Sequence, residues 1–145
     1  MSDTLTKPSL TIKRRFNASP AKVFAAWTDP DKMKHWMGPA QVKAVRAETD
    51  LRRGGRYSIM MLTSAGENHD VSGVFREVIE NERLVYTWSW KSTPERESLV
   101  TVTFKDDGGG TLLTLTHEQF FDEAVRDSHQ GGWNGALDKL EKFIG

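Results

Sequence analysis

The sequence predicts an α+β fold: a curved antiparallel sheet of about six to seven strands wrapped around a long C-terminal helix, with two short helices after the first strand. Three observations predict it. From Gln41 to Gln119, runs of strand-like residues are separated by turns rich in glycine and asparagine, the pattern of consecutive antiparallel strands. Trp133, Ala136, Leu137, Leu140, Phe143 and Ile144 then recur at helical spacing, so one stripe of a terminal helix faces a core. Ser19-Pro20 and Asp29-Pro30 each place a capping side chain before a proline suited to the first helical turn, giving two helix starts in close succession.

Residues 1–8 are expected to be a disordered leader, and residues 9–145 a single domain. Leu10–Phe16 alternates, with Leu10, Ile12 and Arg14 on one side, and reads as the first strand. The helix opened by Pro20 groups Val23, Phe24 and Trp27 on one face. The next groups Met33, Trp36 and Met37, and Gly38-Pro39 ends it. Strands follow at 41–48, Tyr57–Leu62, His69–Ile79, Leu84–Trp90, Ser98–Phe104 and Thr111–Gln119. Their turns lie at Arg53-Gly54-Gly55, Ala65-Gly66, Asn81-Glu82, the loop around Pro94, and Asp107–Gly110. Asp122 is placed to cap the final helix. An antiparallel sheet of this length curls under its own twist, and a helix packed on its concave side closes it.

A chain of 145 residues buries a single core without disulfides or metals. The absence of cysteine excludes disulfides, thiolate nucleophiles and zinc–cysteine sites. No His-x-His or His-Glu-x-x-His occurs, so neither a metal nor another cofactor is expected. Acidic and basic residues balance at 20 each, which argues against nucleic acid as a partner. The N-terminus lacks a signal-peptide pattern and no apolar run reaches membrane-spanning length, so the expected location is cytoplasmic, with no membrane partner. No Gly-x-Ser-x-Gly elbow is present, and Ser128 and His129 point about 100° apart on a helix, so no catalytic residue is assigned.

The candidate site follows from strand parity. Tyr57, Ile59 and Met61 group together, as do Phe75 with Val71, Trp88 with Tyr86 and Trp90, and Val102 with Val100 and Phe104. Turned toward the helix, they make an aromatic-rich concave surface. Gly131, Gly132 and Gly135 stand at the start of the helical stripe beside Trp133, where each costs about 1 kcal/mol relative to Ala. That placement predicts room on this face, for a cavity or a closely approaching backbone. The alternative is a packed core without a void. Trp36 and Met37 either gate the mouth of the cavity or staple their short helix to the body. His117 falls on the apolar face of its strand, and His129 lies one helical turn before Trp133. Two readings stand for both: buried neutral histidines bonded to backbone, or, with Tyr57, the titratable groups of an enzyme.

The element order and several stretches resemble the helix-grip superfamily, also called START-like or Bet v 1-like, and within it the branch named for the C-terminal domain of the Hsp90 ATPase activator. The stretches are Ser19-Pro-Ala-Lys-Val-Phe-Ala-Ala-Trp-Thr-Asp-Pro30, His35-Trp-Met-Gly-Pro39, Leu51-Arg-Arg-Gly-Gly-Arg-Tyr57, Val71-Ser-Gly-Val-Phe-Arg-Glu-Val78, Glu82-Arg-Leu-Val-Tyr-Thr-Trp88, Thr111-Leu-Leu-Thr-Leu-Thr-His117 and Gly132-Trp133. The resemblance implies a cavity between sheet and helix that many members use for apolar ligands, and that some relatives use to cyclise or hydrolyse a substrate. The expected function is therefore binding of a small apolar or amphipathic molecule, with an enzyme as the alternative. The branch name adds a chaperone interaction as a third expectation, behind the others because the cochaperone has a separate N-terminal domain for which 145 residues leave no room.

Overall fold

The computed structural model describes residues 7–39 and 41–144. The expected leader at 1–8 lies outside the described residues as far as residue 6. Seven strands, β1 (Leu10–Phe16), β2 (Val42–Thr49), β3 (Arg56–Thr63), β4 (Asn68–Ile79), β5 (Arg83–Trp90), β6 (Ser98–Asp107) and β7 (Gly110–Glu118), form one antiparallel sheet ordered β1-β7-β6-β5-β4-β3-β2. From β2 to β7 every strand pairs with its successor, as the short turns require. Helices α1 (Pro20–Thr28) and α2 (Pro30–Met33) carry the chain from β1 at one edge to β2 at the other. Ser19 Oγ caps α1 by accepting from the Lys22 N–H at 3.2 Å, and Asp29 caps α2 through the Asp31 N–H at 3.0 Å. The second helix is shorter than its apolar spacing suggested. Trp36 and Met37 sit in the turns after it, with the Met37 N–H donating to Met33 O at 2.9 Å.

Helix α3 (Glu123–Ile144) runs for 22 residues, about 33 Å at the helical rise, inside the curled half-barrel. Asp122 Oδ1 accepts from the Val125 N–H at 2.9 Å and so caps it. Strand parity holds: Tyr57, Ile59, Met61, Val71, Phe75, Leu84, Tyr86, Trp88, Val100, Val102, Phe104, Leu113, Leu115 and His117 are all buried on the inner face. The helix adds Trp133, Ala136, Leu137, Leu140 and Ile144. Phe143, expected in that stripe, is 39% exposed and stacks on His35 at 4.6 Å, because Leu140 and Ile144 take the inward line one turn apart. Gly131 also leaves the stripe: two positions from Trp133 it is turned about 200° away, and it is exposed.

One close approach shapes the sheet. Tyr57 on β3 lies opposite Gly73 on β4, and its hydroxyl donates across that strand to Thr87 O on β5 at 2.5 Å. A Cβ on Gly73 would stand 2.0 Å from the same carbonyl, so only glycine leaves the passage open.

A candidate ligand-binding cavity

A cavity of about 310 Å³ lies between α3 and the β3–β5 part of the sheet. Its apolar wall is Met37, Met61, Trp88, Trp90, Trp133 and Ala136. Pro39, His69, Ser92 and Ser128, which also border it, are exposed, so the cavity opens to solvent along that side. Among the described residues no Asp, Glu, Lys or Arg lines it. Gly132 borders it as well: a side chain there would first meet Pro39 Cγ at 3.4 Å.

Four of the sequence-predicted residues meet at this cavity: Met61, Trp88, His129 and Trp133. Tyr57, Ile59 and Phe75 instead surround a separate void of about 10 Å³, near the least that holds one water, which touches Trp88 from the other side. Trp36 is fully buried, donates to Ala26 O at 2.8 Å and packs on Trp27 at 4.6 Å, which makes it a staple. Met37, next to it, faces the cavity. Val102 lies in the packed core, and His117 lies behind Trp133.

The two histidines are held by hydrogen bonds whose direction can be assigned. Trp133 Nε1 donates to His117 Nδ1 at 3.0 Å, so the ring proton of the neutral imidazole is on Nε2 and points to Ser98 Oγ at 2.7 Å. Ser98 passes its own proton to Trp88 O at 3.2 Å. This relay ties α3 to β7, β6 and β5, from the Trp133 indole to the Trp88 backbone carbonyl. The partners of His117 are thus side chains rather than backbone. Burial, reinforced by neighbouring His129, pushes the His117 pKa down to about 2. His129 is the opposite tautomer: its Nδ1–H donates to Val125 O at 2.8 Å and its Nε2 accepts from Trp90 Nε1 at 2.9 Å. Burial lowers its pKa too, partly countered by the Val125 carbonyl. Every imidazole nitrogen of the pair is therefore engaged, and neither presents a free lone pair to the cavity.

Beyond the Trp90–His129 contact lies a second cleft of about 360 Å³, bordered by Phe120, Phe121, Ala124, Val125, Arg96 and Asp122. Trp88, Trp90, Thr93, Ser128 and His129 line both spaces. The Trp88 indole N–H is buried without a hydrogen-bond partner among the described residues, edge-on to the His117 ring at 5.6 Å.

Sequence reasoning grouped Trp90 with Trp88 without counting it among the site residues, and it missed Lys139. Trp90 was legible, since it shares parity with Trp88, but it ends its strand, where twist decides how far a side chain reaches. Lys139 Nζ donates to Pro39 O at 2.9 Å and Val42 O at 2.8 Å, fastening the helix beside the mouth, and burial lowers its pKa. A lysine on the flank of an amphipathic helix carries no sequence signal for such a role.

The sequence profile described as "Activator of Hsp90 ATPase homolog 1-like protein" matches residues 17–145. Over 108 residues the chain is 27% identical to the human "Activator of 90 kDa heat shock protein ATPase homolog 1" and 25% identical to its mouse counterpart. These stretches cover 73% of this chain, which spans only 28% of the length of either relative. Among solved structures, an AHSA1 protein from Silicibacter pomeroyi superposes with a TM-score of 0.81 at 26% identity, covering 93% of this chain and 96% of that one. A protein from Chromobacterium violaceum gives 0.82 at 24% identity over 94% and 96%, a likeness of fold alone. CalU16 from Micromonospora echinospora gives 0.70 at 28% identity over 94% and 76%.

Proposed function

Because the chain belongs to the activator of Hsp90 ATPase homolog 1-like family, we propose that residues 9–145 are one cytoplasmic domain that binds a small apolar or amphipathic molecule between its sheet and α3. The observation that carries this reading is the 310 Å³ cavity walled by three tryptophans and two methionines with no ionised group. Flat rings and polarizable thioethers suit an adaptable apolar site, and an ionised ligand would be desolvated there without a counter-charge. The volume sits at the lower end of the range for small-molecule sites. Binding is preferred to catalysis because both imidazoles spend one nitrogen on a tryptophan N–H and the other on Ser98 or the Val125 carbonyl.

The wall supplies its own reporter. Titrating tryptophan fluorescence with phenols, flavonoids, polyketides and fatty acids should give saturable quenching by uncharged ring compounds and a higher melting temperature. If no compound moves either signal, the binding reading fails. A second reading, interaction with an Hsp90-type chaperone, is favoured by the 27% identity to the human activator. A purified Hsp90 ATPase assay tests it, and a several-fold rise in turnover on adding this chain would place it first. The whole domain has no helix long and apolar enough to cross a membrane among its described residues.

A further inference from the structure

We infer that the Trp90–His129 pair is a partition that sets the length of the ligand, closing the inner cavity off from the outer cleft. This rests on the reading of the cavity as a binding site. The two spaces meet along one boundary, since the same five residues, Trp88, Trp90, Thr93, Ser128 and His129, line both. Across it, Trp90 from the end of β5 and His129 from α3 are joined by one hydrogen bond of 2.9 Å, their rings 6.0 Å apart. His129 is fixed from behind by Val125 O, so it is the stationary post. Trp90 is the side that can give. It is half-buried, it closes its strand, and its other ring contacts, with Trp88 at 5.6 Å and His69 at 6.4 Å, are edge-on.

The chemistry on the two sides differs in a way that defines the ligand. The inner space has no charged wall and holds an uncharged ring. The outer cleft continues the apolar surface through Phe120, Ala124 and Val125 and ends at Arg96, which lies over the Phe121 ring at 3.8 Å. With the partition closed, the site accepts a compact uncharged molecule. With it parted, a longer one extends its tail along the outer apolar floor.

The 4-n-alkylphenols from 4-ethylphenol to 4-nonylphenol, uncharged at neutral pH, are the probe, measured by calorimetric titration against the whole chain. In the wild type, affinity should rise about fourfold per added methylene among the short members and then stop rising. In Trp90→Phe, which loses the N–H and ring bulk, and in His129→Leu, which loses the acceptor, the rise should continue for at least two further methylenes. Each protein's series is read relative to its own 4-ethylphenol affinity, so that a loss of wall contact shared by every member drops out and only the chain-length cut-off is compared. Near-ultraviolet circular dichroism confirms that each variant is folded, and either variant alone suffices if the other is not. The same cut-off length in wild type and variants overturns the partition while leaving ligand binding standing. Failure of every alkylphenol to bind the wild type overturns both.

Discussion

Two indoles and two imidazoles form a polar network at the cavity wall, because the Trp90 and Trp133 N–H groups each donate to a ring nitrogen that accepts only while its imidazole is neutral. A second proton on His117 would sit on Nδ1 and place a donor against the Trp133 N–H, in a site with no accessible surface. The linkage has a definite sign. In the unfolded chain His117 titrates near 6.5 and in the fold near 2, so between those values the unfolded state binds the extra proton and stability falls as pH falls. The slope from this residue is about 1.4 kcal/mol per pH unit, and His129, lowered as well, acts in the same direction. Melting curves between pH 6.5 and 4.5 should show a smaller loss in His117→Gln than in the wild type. Equal losses would mean that the imidazole carries no such linkage. Tyr57 makes a second residue-scale case: burial raises its pKa well above the usual value, so its hydroxyl stays a donor to Thr87 O. Tyr57→Phe should cost about 1–3 kcal/mol in chemical denaturation, because the carbonyl it serves is left unmet.

At the scale of elements, two glycines with opposite consequences separate what the sequence discloses from what it withholds. Gly131 stands on the outer face of α3 with nothing within 4 Å of where a side chain would begin. Gly131→Ala should therefore stabilise the protein by about 0.5–1 kcal/mol and leave ligand binding unchanged. Gly73→Ala, with Thr87 O at 2.0 Å, should forbid the β4–β5 approach and either unfold the protein or cost several kcal/mol in the same measurement. Both are glycines inside regular elements, and their neighbours in sequence do not distinguish them. A strand's period of two placed the inward set from Tyr57 to His117 without error, because side-chain direction in a strand is a local property. The cavity was less legible. Which of Trp36 and Met37 faces it depends on how a four-residue helix and its trailing turns are rotated, and no periodicity fixes that. Phe75 and Tyr57 face inward as parity demands, yet Trp88 stands between them and the main cavity.

For the whole molecule, the legible part is the order of elements and the long helix in the hollow of the sheet. The grip on that helix was not legible, since it depends on side chains brought together from distant positions. Arg14 of β1 pairs with Asp138 at 2.7 Å, and Lys139 holds the two carbonyls of Pro39 and Val42. Lys139→Met should lower the melting temperature by several degrees, the equivalent of about 1–3 kcal/mol for two carbonyls losing a charged donor. Hydrogen exchange should show the added opening in the C-terminal half of α3. An unchanged melting curve would mean that apolar packing alone seats the helix.

The same lysine has a kinetic consequence. It binds α3 to the segment that carries Met37 and Pro39, so two walls of the cavity move as one body. The facing rim, formed by Ser92 and Thr93 between β5 and β6, is held within its own turn by Thr93 N–H to Trp90 O, Arg96 N–H to Thr93 O and Ser89 Oγ to Pro94 O, and outside it at its ends, by Lys91 N–H to Asp70 O and by Arg96 over the Phe121 ring. On the proposed binding reading, exchange of a bound molecule is expected to run past this connection. A change in this connection at a residue that does not line the cavity, such as Glu95→Gly, should alter the association and dissociation rates by the same factor in stopped-flow fluorescence. Kd should stay where it was, so that how fast the cavity fills and how tightly it holds are properties of different parts of the chain.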